Sequence, residues 1–205
     1  ISTITNYNTG TLQKFDSVFR HSKLTGLIDD TDNSILSNVT TLKVRKSFTP
    51  SLATSAAYNV YFRNALYNPH SGHNSAAGGI LTSTGFKVTG SNEEMFLDDD
   101  GQGNVRRYYL VSGVKTYANN TQGTIDYNTG QVTLNSLNIA SISNIRGAAS
   151  TVVEITVVPA SNDVVPVRDQ IVEIDVANSL ISVEEDSFVG GSAEAGVGYT
   201  TSSSY

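Results

Sequence analysis

Gly123-Thr-Ile-Asp-Tyr-Asn-Thr-Gly-Gln-Val-Thr-Leu-Asn135 is the stretch whose reading decides the fold. Ile125 and Tyr127 alternate with Asp126 on one arm, and Val132 and Leu134 alternate with Thr133 on the other, the period of half-buried strands. The pattern predicts a β-hairpin. A two-residue loop at Thr129-Gly130 sets Tyr127 opposite Val132, Ile125 opposite Leu134 and Asp126 opposite Thr133, so that all four apolar groups share one face. A loop of odd length would mix the faces. Gly130 then supplies the positive φ of the turn. Such a hairpin is not stable alone, so its apolar face must lie on a larger core.

Upstream, Met95-Phe-Leu-Asp-Asp-Asp-Gly-Gln-Gly-Asn-Val-Arg-Arg-Tyr-Tyr-Leu-Val111 places two apolar arms around a polar tip. Asp98, Asp100, Gln102, Gly103 and Asn104 imitate the first half of a calcium-binding loop, but Tyr109 stands where the bidentate Glu belongs. The tip therefore reads as a hairpin turn, with Gly101 and Gly103 as its turn glycines. Residues 114–118 continue the sheet. Further strand patterns cover 39–48 and 57–62, a strand pair at 80–88 around Ser83-Thr84-Gly85, and 152–158. The pattern at 164–176 has Pro166 at an edge or bulge, and a short last strand falls at 180–183. Leu137, Ile139, Ile142 and Ile145 read as an irregular segment.

At the N-terminus, Leu12, Phe15, Val18 and Phe19 recur at helical spacing, which predicts a short amphipathic helix from Thr11 to about Lys23. Tyr7-Asn8-Thr9-Gly10 repeats the tetrapeptide of the hairpin, but the same turn would put Tyr7 and Leu12 on the face opposite Ile4 and Phe15. It marks a chain reversal or helix start, not a duplicated hairpin. Asp32 or Asn33 caps a helical turn through Ile35 and Leu36. The expected fold is mainly β with a short α+β N-terminal segment, in antiparallel, sandwich-like sheets with many hairpins. Residues 1–50 hold the helical segment and first strand, 51–185 a β-rich domain, and 186–205 a Gly/Ser-rich tail.

A net charge of −6 and a pI near 4.9 argue against a nucleic-acid grip, which needs clustered Lys and Arg. Lys43-Val-Arg45-Lys46 and Arg106-Arg107 are too short to provide one. No run reaches the roughly 18 apolar residues of a membrane span. The first residue is Ile1, which suggests a fragment or processed product. There is no cysteine and no recognisable nucleophile elbow, phosphate-binding loop, dinucleotide fingerprint or zinc-protease motif. Scattered acids such as Asp16, Asp98, Glu173 and Asp175 form no pair along the chain. His70 and His73 lack a third ligand and read as members of an exposed polar loop over 64–79. No catalytic, cofactor or metal residue is assigned, and the chemistry points away from an enzyme.

In order, Phe15-Asp-Ser-Val-Phe-Arg-His-Ser-Lys-Leu24 with Ile28-Asp-Asp, Phe48-Thr-Pro-Ser-Leu52, Asp99-Asp-Gly-Gln-Gly-Asn-Val-Arg106, the hairpin at 123–134 and Pro159-Ala-Ser-Asn-Asp-Val-Val-Pro-Val-Arg-Asp-Gln-Ile171 resemble a known family. The chain is similar, over residues 11–180, to the C-terminal part of the large baseplate wedge protein of T-even-type contractile-tailed bacteriophages. The resemblance implies a structural component of the virion, in the tail baseplate. It would be a dimer within a ring, joining wedges through contacts with other wedge proteins, and it brings no catalytic residues. Tyr108, Tyr109, Tyr117 and Tyr127 are the aromatic anchors expected at such contacts. A carbohydrate-binding or adhesin-like β module is the alternative, given the Tyr-, Asn- and Asp-rich loops.

Overall fold

The computed structural model describes residues 1–75, 78–167 and 170–184. Ser2–Ile174 form one compact unit, and residues from Asp175 belong to a second. The first unit opens with helix α1 (Ser2–Tyr7), a π-helical turn (Asn8–Leu12) and helix α2 (His21–Asp29). Nine strands follow among the described residues: β1 (Val44–Phe48), β2 (Ser55–Tyr61), β3 (Thr82–Ser83), β4 (Phe86–Val88), β5 (Met95–Asp99), β6 (Asn104–Val111), β7 (Val114–Asp126), β8 (Gln131–Ile142) and β9 (Val153–Val157). The protein is thus mostly β and antiparallel, as expected. The larger sheet is barrel-like, because β8 pairs with β4 along one stretch and with β7 along another, closing the circuit β8-β4-β5-β6-β7. β2 adds to the other edge of β8, and β1-β9-β3 form a separate three-stranded sheet.

Alternation builds the interior. Leu97 on β5, Val105 on β6, and Val132, Leu134, Leu137 and Ile139 on β8 have no exposed surface. Each such side chain stabilises the fold by about 1.5–3 kcal/mol relative to exposure. On β8 the inward positions switch from even to odd numbers between Leu134 and Leu137. The switch is a β-bulge: the pairing with β2 slips there, and Ser136 takes a φ of +38°. What reads as an irregular segment after Asn135 is therefore a continuation of one strand through that bulge. β7 likewise runs unbroken from Val114 into the hairpin arm.

The hairpin forms with a different loop. Asp126 pairs with Gln131 and Ile125 with Val132, so the loop has four residues, Tyr127 to Gly130, not two. Asp126 makes the difference, since its carboxylate accepts the Asn128 and Thr129 amides and the Thr129 hydroxyl. The Asp126 carbonyl accepts the Gly130 amide at 2.9 Å. The register moves by two residues, which keeps Ile125, Val132 and Leu134 on the buried face. Gly130 has a φ of +68°, and a Cβ there would stand 2.2 Å from the Asn64 carbonyl oxygen. That approach seats the tip on the chain after β2, where Phe62 and Leu66 donate their amides to the Gly130 and Tyr127 carbonyls.

Four other expectations change. The helix expected over 11–23 is absent: Phe15 is exposed, Asp16 sits at φ +60°, and Phe19 forms an isolated bridge with Val164. The helices lie on either side, and Tyr7, Leu12, Phe19, Leu24 and Val164 form their own buried cluster. The 164–176 pattern yields that one bridge and no strand among its described residues, and the Asn8 side chain takes up both backbone groups of Ile174. The 80–88 pair is split, β3 joining β9 and β4 joining β5 and β8. In the second unit, Asp175 caps a 3-10 turn (Val176–Asn178), and 180–183 hold no strand. The 186–205 tail lies outside the described residues.

Candidate functional site

The chemistry-bearing residues converge where β5, β6 and β7 lie side by side. β5 points Met95, Leu97 and Asp99 inward and Phe96 and Asp98 outward, by simple alternation. Opposite Phe96 and Asp98 on β6 stand Tyr108 and Arg106, and Tyr108 pairs onward with Tyr117 of β7. The outer face therefore carries a ladder of aromatic rings beside a charged knot.

Asp98 is the centre of the knot. One oxygen accepts from Arg106 Nε at 3.0 Å, and the other from Lys115 Nζ at 2.7 Å and the Tyr117 hydroxyl at 3.0 Å. The carboxylate has no exposed surface, so two cations and a phenol supply the solvation that water would otherwise provide. Burial works to lower the pKa of Lys115, but the bond to Asp98 and the charge of Asp98, with Tyr108 and Tyr117, outweigh it and raise it. Burial, then Asp98, pushes Tyr117 up. The two cations also lie on rings, Arg106 at 4.3 Å from the Tyr117 centroid and Lys115 at 4.4 Å from that of Tyr108. Phe96 stacks on Tyr108 at 5.7 Å.

Asp99 faces the interior and is spent on the backbone. Its Oδ1 accepts the amides of Ile80 and Leu81, and its Oδ2 accepts the Tyr127 hydroxyl at 2.6 Å and the Gly101 amide. Burial, reinforced by Asp99, pushes the Tyr127 hydroxyl far above the usual phenol range. Asp100 accepts the Gln102 and Asn104 amides and the Asn104 side chain. Burial works to raise its pKa, but those bonds and nearby Arg106 hold it below the ordinary carboxylate value. Asp98 and Asp100, the two carboxylates of the calcium-loop imitation, and Asp99 between them thus point three ways, each filled by N–H, O–H or ammonium donors. The tip is a hairpin turn, with Gly101 at φ +73° and Gly103 at φ +108°.

The four tyrosines divide. Tyr108 and Tyr117 belong to the outer ladder, whereas Tyr109 and Tyr127 are half-buried against the core. Sequence reasoning overlooked Asp99, although its parity with Met95 and Leu97 marks it as inward-facing. It also overlooked the tip of the β6–β7 hairpin. There Ser112 (φ +51°) and Gly113 (φ +82°) make a two-residue turn, and Leu110, Val111 and Val114 beside it are 47%, 51% and 67% exposed. A shallow groove of about 290 Å³ elsewhere is lined by Ile145, Arg146 and Glu154, and the Arg146 guanidinium and Glu154 carboxylate close on each other in a two-pronged ion pair at 3.1 Å. Among the described residues no helix is long and apolar enough to cross a membrane.

No curated protein matches the chain. Residues 1–47, which span α1, the π-turn, α2 and most of β1, match the family of baseplate structural protein gp6, C-terminal domain III. That family is a structural one, which speaks for a non-enzymatic role and for contacts with other baseplate proteins, and nothing in the comparison favours a carbohydrate-binding module. The match is consistent with the C-terminal part of a T-even-type wedge protein, and through its first 47 residues the chain takes its place as a structural component of the phage tail baseplate in the virion.

Proposed function

We propose that the chain joins neighbouring wedges into a ring, acting as a rigid contact module without catalysis, and that a second copy of the chain is the partner at one of its contacts. The observation that carries this reading is the exposed apolar end of the β6–β7 hairpin. Leu110, Val111 and Val114 leave large side chains in water at the end of a strand pair braced by the Asp98 knot, and such patches mark interaction sites. Beside them, Lys115 to Asn119 of β7 pair, among the described residues, with β6 alone, which offers a strand edge to another chain. Tyr117 on that strand, with Tyr108 packed beside it on β6, is the aromatic anchor for the partner, while Tyr109 and Tyr127 pack against the core.

Light scattering after size exclusion on the full-length protein tests the reading. The wild type is expected to self-associate, and Val111→Asp with Val114→Asp to shift it to monomer while the β-sheet circular dichroism is kept. A wild-type protein that stays monomeric at every concentration, together with assembled tails that tolerate the double substitution, would overturn it.

A further inference from the structure

His70 and His73 sit at the two ends of a β-turn. The His73 amide donates to the His70 carbonyl at 3.0 Å, and Gly72 takes the positive φ, +80°, that the third position of a type II turn requires. The turn brings His70 Nε2 within 3.1 Å of His73 Nδ1. The two outer ring nitrogens also have oxygen neighbours, His70 Nδ1 the Ser71 carbonyl at 3.3 Å and His73 Nε2 the Tyr67 hydroxyl at 3.4 Å.

We propose that His70 Nε2 and His73 Nδ1 together bind one divalent transition-metal ion of the zinc, nickel or copper class, with water in the remaining positions. An ion about 2.0–2.1 Å from each nitrogen sets the two nitrogens about 2.9 Å apart at a right angle and about 3.4 Å apart at the tetrahedral angle. The separation of 3.1 Å falls between these values. The rings stand at 87° to each other and nearer than a head-on contact allows. A head-on N–H···N bond of this length would place the ring centroids about 5.4 Å apart, whereas they stand at 4.8 Å.

The outer partners complete the pattern. A metal-bound imidazole donates its other N–H to an oxygen, which fixes tautomer and orientation. The Ser71 carbonyl can only accept, so it holds the His70 proton on Nδ1 and leaves Nε2 bare. The Tyr67 hydroxyl can accept the His73 proton on Nε2, which frees Nδ1. Loading the site needs one proton moved from Nδ1 to Nε2 of His73 and no change of backbone.

The loop is held in place beforehand. Asn74 Nδ2 donates to the Tyr67 carbonyl, Ser75 Oγ to the Asp100 carbonyl and the Gly72 amide to the Gly101 carbonyl, which ties the turn to the Asp98–Asn104 tip. Both imidazoles are exposed. Elsewhere the chain has no cysteine and a single further histidine, His21, whose Nε2 is engaged with the Thr40 carbonyl. Soft and borderline ions therefore have one paired nitrogen site to choose.

Calorimetric titration of tag-free protein with Ni²⁺, Zn²⁺ and Mg²⁺ alone tests the site. The wild type is expected to bind one Ni²⁺ or Zn²⁺ per chain and no Mg²⁺. His70→Ala and His73→Ala are expected each to weaken binding at least about tenfold, and Tyr67→Phe by about tenfold, since it removes the acceptor that orients His73. His21→Gln should bind as the wild type does. Bound Cu²⁺ should show two equatorial nitrogens by electron paramagnetic resonance. Equal Ni²⁺ affinity in the wild type and in a folded His70→Ala/His73→Ala variant would overturn the proposal, as would Mg²⁺ binding as tightly as Ni²⁺.

Discussion

The barrel and the N-terminal layer bury apolar side chains equally deeply but by different means. Leu134 and Ile139 in the barrel are covered because β7 joins β8 through a local hairpin and β2 and β4, brought from earlier in the chain, pair along β8 as regular alternating strands. Leu12 in the N-terminal layer is as fully buried as Leu134, yet from a π-turn. The layer is pinned by distant chain: Phe19 exchanges both backbone bonds with Val164, and Asn8 meets Ile174 166 positions away. The region with readable elements is not the one that carries the family likeness. The layer that matches baseplate domain III is held by contacts no local pattern announces.

That contrast can be broken most forcefully at Asp98. Asp98→Ala strands Arg106 and Lys115 beside a buried gap and should cost about 3–5 kcal/mol in urea unfolding, toward the lower end because Lys115 can turn to water. A loss under about 1 kcal/mol would mean that the knot does not brace the hairpin. Leu12→Ala should cost about 2–4 kcal/mol. Amide exchange should then quicken in α1, α2 and Phe19 while β5–β8 stay protected. Equal quickening in both regions would erase the distinction between them.

Gly130→Ala combines an unfavourable φ with a Cβ driven toward the Asn64 carbonyl, for an expected loss of about 1–3 kcal/mol. It should perturb the amides of Phe62 and Leu66 first, and an unchanged melting temperature would contradict the close approach. Asn8→Ala removes both bonds to Ile174 for about 1–2 kcal/mol. Its effect should stay within the layer, as read from exchange at Ile174.

The smallest effect is one of pH. Tyr108, Tyr117, Tyr127 and Lys115 all have pKa values raised in the fold. Their contribution is full below the unfolded values near 10 and is lost as pH rises beyond them. The stability gap between the wild type and Tyr127→Phe should therefore be constant from pH 7 to about 9 and shrink by pH 11. Asp100 works in the opposite window: its lowered pKa makes its contribution present above about pH 4 and lost on acidification. A gap that widens at high pH would mean that Tyr127 is not held neutral by Asp99 and its surroundings.

Much of the β structure was legible in the residues. The 95–111 and 123–134 hairpins of the barrel and the 152–158 strand of the three-stranded sheet follow from alternation and turn chemistry, whereas the change of parity after Leu134, which reads as an irregular segment, is resolved as a bulge only by the pairing with β2. The candidate site was half legible. Asp98, Asp100 and the tyrosines were visible as residue types, but Lys115 could be joined to Asp98 only once β7 lay beside β6. His70 and His73 read as ordinary loop residues, because spacing records neither the turn between them nor the oxygen beside each outer nitrogen.

The order of the chain carried the antiparallel β character and the inward face of each hairpin arm, because side-chain alternation obliges one face to leave water. It also carried the even length of the 126–131 loop, since an odd slip would have buried Asp126. Loop length four instead of two, the closure of β4 on β8, the helices flanking 13–20 in place of one across it, and the three separate fates of Asp98, Asp99 and Asp100 all required the assembled fold. Each depends on a partner distant in sequence or on competition for a hydrogen bond, and such competition is resolved only when the neighbours are in place.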